Sequence, residues 1–167
     1  MEFSEAKAQF ISTWGELGCN WGICRTMGHI HALLLIHPEA LSTENIMEDL
    51  QISRGNANMN LRALIDWGLV YRRSKPGERK EFFTAEKDFW NVFRKTLRKR
   101  KTKELNPMLD MIKSISKVEE SPCPHTTEFK RVVNNLGMIS SAADRSLDKV
   151  LDSESNLFLN AFVRVMR

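Results

Sequence analysis

The residues of this chain with the most to offer chemically lie between positions 53 and 64: Ser53, Arg54, Gly55, Asn56, Ala57, Asn58, Met59, Asn60, Leu61, Arg62, Ala63 and Leu64. Three amides and two guanidiniums in so short a span can read base edges. Asparagine pairs bidentately with adenine, arginine with guanine or phosphate, and methionine touches a thymine methyl. The spacing predicts a helix over 53–67, capped by Ser53 and stopped by Gly68. Stepping about 100° per residue from Ala57 brings Leu61 and Leu64 beside it as an inward face. Gly55, Met59 and Arg62 then point the opposite way, with Asn56 and Ala63 near them and Asn58 and Asn60 on the flanks. That outward set lacks the Glu/Lys pairs that support a merely solvated helix face. Arg54 sits in the first turn, where free backbone N–H groups already favour a phosphate. The bland alternative is an asparagine-rich cap on a packing helix.

A second group of cations follows at once. Two short β-prone runs, 69–73 and 80–84, flank Pro76-Gly77, which suits the central positions of a type II turn because Gly tolerates positive φ. This hairpin carries Arg72, Arg73, Lys75, Arg79 and Lys80 against Glu78. Phosphate contact is expected for most of them and minor-groove insertion for Arg79 or Lys75. A further run, residues 94–103, holds seven cations and no acid. It either extends the same footprint or is the solvated face of a helix whose other face is Phe89, Phe93 and Leu97.

Charge by segment agrees. Residues 1–52 carry two basic and seven acidic side chains, residues 53–103 fifteen and five, and residues 104–167 eight and nine. All the positive charge of a chain with net +4 therefore lies in one central block, which attracts a polyanion. A solvated helix face is the competing explanation of the same charge.

The elements that must position these groups are mostly helices. Phe10, Trp14, Leu17 and Trp21 form one helical stripe over 4–21. A second helix is expected over 25–36, ended before Pro38, and a short one from Ser42 or Thr43 to Leu50. After the hairpin, helix resumes near Ala85 and continues through Met108, Leu109, Ile112 and Ile115, with Asn106-Pro107 as a cap or a kink. Residues 121–124 (Ser-Pro-Cys-Pro) read as a linker. Two last helices follow, one with Phe129, Val132, Leu136, Ile139 and Ala143 near heptad spacing, the other from about Ser155. Helix, short helix, turn, helix and basic hairpin is the order of a winged helix-turn-helix, whose second helix enters the major groove. The expected fold is mainly α with a small β-hairpin wing. Its parts are an N-terminal helix (1–24), the winged domain (25–85) and a helical dimerisation and possible effector region (86–167).

Other chemistries are weaker. Four tryptophans can build a cage for a quaternary ammonium ion, yet Trp14 and Trp21 fit packing equally well. Cys19, Cys24, His29, His31, His37, Cys123 and His125 lack the paired spacing of a zinc site, so no metal is expected. A thiol switch at Cys19 or Cys24 has only Arg25 to favour a thiolate. No GxSxG, P-loop, GxGxxG after a strand, or HExxH occurs, so catalysis is not expected and no cofactor is called for. No apolar run approaches a membrane span, and the acidic start is unlike a secretory signal. With three cysteines, an odd number, a reducing cytoplasmic setting is expected, in association with the nucleoid.

Residues 50–70, then Lys75-Pro76-Gly77-Glu78-Arg79-Lys80, resemble the GbsR branch of the MarR-like winged helix-turn-helix transcriptional regulators. Asn20-Trp21-Gly22-Ile23-Cys24-Arg25-Thr26-Met27 is similar to that branch too, and the likeness spans residues 8–105. The resemblance implies a dimeric repressor or activator, with 53–64 as recognition helix and 69–84 as wing. Some members of the branch sense choline or glycine betaine, and no such ligand motif is matched here residue by residue. The expected function is therefore a homodimer that binds a palindromic operator in double-stranded DNA, with a small-molecule effector such as choline or glycine betaine as an option the resemblance adds. Phe10, Trp14, Leu17, Trp21, Phe129, Val132, Leu136 and Ile139 are expected at the dimer interface. A sequence-indifferent architectural or protein-binding winged helix, or a metal- or thiol-sensing regulator, would share the charge map.

Overall fold

Local signals place the helix ends. The first helix, α1 (Phe3–Asn20), closes where Gly22 adopts φ +79. There the amides of Gly22 and Ile23 donate to the carbonyls of Cys19 and Gly18. Both bonds of a Schellman turn are thus made, and glycine supplies the left-handed residue without strain. The second helix, α2 (Arg25–Ile36), stops ahead of Pro38. A two-residue strand β1 (Leu41–Ser42) leads into α3 (Thr43–Leu50), where Ser42 Oγ accepts from the Asn45 amide and Asn45 Oδ1 accepts from the Ser42 amide. Gln51 ends α3 at φ 53, a left-handed position held by a non-glycine residue. Ser53 caps α4 (Arg54–Asp66), and Gly68 closes it at φ +70 with a second pair of Schellman bonds, from Gly68 to Ile65 and from Leu69 to Leu64. Strands β2 (Val70–Ser74) and β3 (Glu81–Ala85) form the hairpin. At its tip the Glu78 amide donates to the Lys75 carbonyl across Pro76 and Gly77, whose φ is +81, as a type II turn requires.

The computed structural model describes residues 1–118 and 123–153, and divides them between two compact units, Met1–Val92 and Phe93–Arg167. The first unit is a winged helix-turn-helix. Its antiparallel sheet has the order β1-β3-β2, with Leu41 opposite Phe83 and Arg73 opposite Phe82. The core forms where Ile30, Leu33 and Leu34 of α2 meet Ile46 of α3, Leu61 and Leu64 of α4, Leu69, Val70 and Phe83. Burying each such side chain contributes roughly 1.5–3 kcal/mol, so this cluster is the main source of the unit's stability. Lys87 closes the far end of α2: its ammonium donates to the carbonyls of Leu34, Leu35 and His37 at 2.9, 2.6 and 2.8 Å. A cation at a helix C-terminus satisfies orphan carbonyls and complements the dipole, which offsets the partial burial that lowers its pKa.

Small residues let α1 lie close on α2. A β-carbon on Gly28 would stand 2.8 Å from Gly15 Cα. Beside this crossing Trp14 stacks on Phe10 with centroids 5.5 Å apart, meets Phe89 edge-on at 6.2 Å, and donates from Nε1 to His31 Nδ1 at 3.2 Å. His31 is 2% exposed and its Nε2 has no hydrogen-bond partner among the described residues. With Nδ1 accepting, the neutral ring carries its hydrogen on Nε2, and burial holds its pKa down at about 4.

The structure departs from the sequence reading at three places. The short strand β1, unforeseen, pairs on the outer edge of β3. Helix does not resume at Ala85: β3 runs through that residue, and Asp88 is the true cap, its Oδ1 accepting from the amides of Trp90 and Asn91 ahead of α5 (Phe89–Arg100). Asn106 caps no helix, although Pro107 does stand in a first turn. A π-helical turn (Lys101–Leu105) precedes α6 (Asn106–Ile115), with helical φ and ψ throughout. A widened turn accommodates a proline that cannot donate backward and whose ring would crowd the preceding turn.

In the second unit α7 (Pro124–Asp152) packs on α6, and Ile112 Cγ2 lies 3.2 Å from where a Gly137 β-carbon would be. Lys101 donates to Asp148 and forms an ion pair with Asp144 at 3.0 Å, and the two carboxylates raise its pKa. The linker reading falls partly outside the described residues, and the helix expected from about Ser155 lies outside them altogether.

Two outcomes follow from the α1–α2 contact. Gly28→Ala forces backbone against backbone and should lower unfolding free energy in urea by about 1–3 kcal/mol. His31 should make stability fall as pH drops from 6.5 to about 4. In that window the unfolded chain takes up a proton that the folded one refuses, and the full loss is about 3 kcal/mol. His31→Gln should remove most of that slope in pH-dependent denaturation. Part of the remainder belongs to His29, whose pKa is lowered by partial burial and then by Arg25, and part, at the acid end, to carboxylates held low such as Glu44.

Candidate nucleic-acid interface

The buried stripe Ala57, Leu61 and Leu64 sets the rotation of α4. Gly55 and Arg62 are then exposed and Met59 is 64% exposed, while Asn56 and Asn58 are half-buried. Ser53 Oγ accepts from the Asn56 amide at 3.3 Å, fixing the first turn. Arg54 bridges to α3 through Glu44 at 2.8 Å. The Glu44 carboxyl is held below the usual range, first by its own backbone N–H and then by Arg54.

Asn60 is a correction. It is 3% exposed, and its amide is used inside the protein, donating to Asn56 and accepting from Cys24. A flank position on the helical wheel lies against α2 here, so Asn60 is not an exposed base-reading group. Sequence spacing carried no sign of this, because Cys24 is thirty-six residues away.

On the wing, Arg72, Arg73, Arg79 and Lys80 are exposed. Arg72 reaches Glu81 at 3.4 Å, and Arg73 lies 5.6 Å from the Tyr71 ring centroid. Lys75 is half-buried, 4.5 Å from the Phe82 centroid and 4.0 Å from Glu39. Phe82 is buried outside the main cluster, so the Lys75 stem and ammonium help to cover it. Arg62, Arg79 and Lys80 have no acidic partner among the described residues. The run at 94–103 differs: Arg100 pairs with Glu104, and Lys101 with Asp144 and Asp148. At least those two cations are already paired within the second unit rather than waiting for a ligand.

The remaining predicted positions divide by exposure. Phe10 and Trp14 are half-buried in the aromatic cluster of their own chain, whereas Leu17 and Trp21 are exposed. Phe129, Val132, Leu136 and Ile139 are exposed along α7, Ile139 by 68%. Cys19, Cys24 and Cys123 are free thiols. Among the described residues no group of three or more His, Cys, Asp or Glu side chains is placed to hold a metal ion. No helix there is long and apolar enough to cross a membrane.

A helix-turn-helix carrying a cationic hairpin defines a winged helix-turn-helix, the fold of many transcriptional regulators. The chain is 30% identical over 89 residues to the HTH-type transcriptional repressor GbsR of Bacillus subtilis (strain 168), which bears out the resemblance to the GbsR branch. That match covers 53% of this chain and 49% of the relative, so the chain spans about half the length of the protein it matches. The crystal structure of a transcriptional regulator shares the fold at TM-score 0.66 and 20% identity, over 87% of this chain and 95% of that one. A mutant of S. aureus MepR, bound to an oligodeoxyribonucleotide, is a weaker likeness at TM-score 0.42 and 18% identity, over 84% and 91% of the two chains. These relatives are named as regulators rather than enzymes. No protein-family model matches the chain.

Ser53 makes the local prediction. Ser53→Ala removes the oxygen that satisfies the Asn56 amide, and should cost about 1 kcal/mol in chemical denaturation.

Proposed function

We propose that this chain is a sequence-specific, double-stranded DNA-binding transcriptional regulator that acts as a homodimer on a palindromic operator. The observation that carries the reading is electrostatic. The outward side of α4 presents Gly55, Met59 and Arg62, with the helix's one acid, Asp66, confined to its last position, and Arg62, Arg79 and Lys80 have no counter-ion among the described residues. Cations without a partner in the protein release counter-ions when they meet phosphates, the main source of affinity for DNA. Small and amide-bearing side chains on the helix let its backbone approach the groove and leave the edges to be read.

Repression is supported by the role in the name of the B. subtilis relative. A homodimer is supported by α7, whose exposed Phe129, Val132, Leu136 and Ile139 recur at spacings of three and four, the seam of a coiled coil. Two recognition helices about 34 Å apart read two half-sites and multiply a modest specificity. Three free thiols suit a reducing cytoplasm, where DNA would be met in the nucleoid.

Binding to random duplex and to the DNA flanking its own gene separates a regulator from an architectural protein. A regulator prefers its site by at least about a thousandfold at fixed salt, and equal affinity overturns the proposal. Within that measurement Arg62→Ala and Asn56→Ala should lower discrimination between sites, each by about 1–3 kcal/mol. Arg73→Ala or Lys80→Ala should weaken all duplexes alike and reduce the salt slope by about one.

A further inference from the structure

From the hydrogen bonds around Asn60 we infer that this buried residue is a positioning residue, which turns Asn56 so that only its NH2 group faces a ligand. The inference rests on the DNA-binding reading above and assigns a base preference within it. The Asn60 Nδ2 lies 2.9 Å from the Asn56 backbone carbonyl and 2.7 Å from Asn56 Oδ1, while Asn60 Oδ1 lies 3.0 Å from Cys24 Sγ. A backbone carbonyl can only accept, so the Asn60 atom facing it must be the nitrogen. The Asn60 oxygen is thereby placed against the Cys24 thiol, which donates to it. The same nitrogen faces the Asn56 side chain, which must answer with its oxygen. One carbonyl thus orients two amides in series.

The consequence lies at the outer end. Asn56 is half-buried in the first turn of α4, its oxygen is engaged from within, and its own NH2 has no partner among the described residues. Bidentate pairing with adenine needs an oxygen to accept from N6 and a nitrogen to donate to N7. With the oxygen turned inward and one of its two lone pairs taken by Asn60, the edge that Asn56 turns outward is its NH2. Its donors suit the N7 and O6 of guanine, and they meet the adenine N6 amino group donor against donor. Asn56 therefore favours an acceptor edge, guanine foremost, and disfavours adenine.

Selection from a randomised duplex library tests this with the full-length protein. The base pair read by Asn56 is the one whose preference disappears in Asn56→Ala. Wild-type protein should enrich a G·C pair there, and an A·T pair at that position overturns the inference. Asn60→Leu keeps the γ-branched shape but releases the Asn56 amide. With folding checked by thermal melting, A·T should rise about tenfold relative to G·C at that one position while the other positions keep their preferences. An Asn60→Leu protein that folds and selects the same base there overturns the inference and leaves the regulatory reading standing. Should Asn60→Leu fail to fold, the comparison of wild type with Asn56→Ala still decides. Wild-type protein that enriches no sequence at all overturns the regulatory reading, and this inference with it.

Discussion

What the first unit can present to a ligand depends on how Ala57, Leu61 and Leu64 of α4 are buried against α2 and α3. Leaving these three in water would forfeit several kcal/mol, so rotation of the helix about its axis is not free. Once they face inward, the helical period puts Met59 and Arg62 outside. The helix is also held at both ends, by the Ser53 cap and by the Gly68 turn. The outward surface of α4 is thus a by-product of packing: the residues outside have been chosen by those inside.

The polar residues around that helix are matched with the same economy. Arg54 is answered by Glu44, Arg72 by Glu81 and Lys75 by Glu39 and the Phe82 ring. These pairs are exposed and contribute little stability singly. Their effect is selective, because they neutralise some cations and leave Arg62, Arg79 and Lys80 unanswered among the described residues. Total positive charge counted from sequence therefore overstates what is available to a polyanion. In the second unit Lys101 is drawn to Asp144 and Asp148, so part of the densest basic run serves α7.

Much of the architecture was readable because its signals are local. The bounds of α2, the Ser42 and Ser53 caps, the Gly68 stop and the type II turn at Pro76-Gly77 each follow from one or two side chains acting on nearby backbone. Three features were not readable for the opposite reason. Strand β1 exists only because β3 offers it an edge, Asp88 is chosen as a cap because β3 uses the preceding residues, and the π-turn before Pro107 lets two helices run on as one. In each case a longer-range fit overrode a local choice that looked equally good.

Sequence alone settled the amphipathic stripes, the turn chemistry and the placing of positive charge in one central block, since each depends on residues close together along the chain. It determined that Asn56, Asn58 and Asn60 share one helix. Only the tertiary structure decided which of them remains available, because Cys24 and α2 come from far along the chain to bury Asn60 and bind its amide. Orientation of an amide is a property of its neighbours, and the helix's own periodicity carries no information about them.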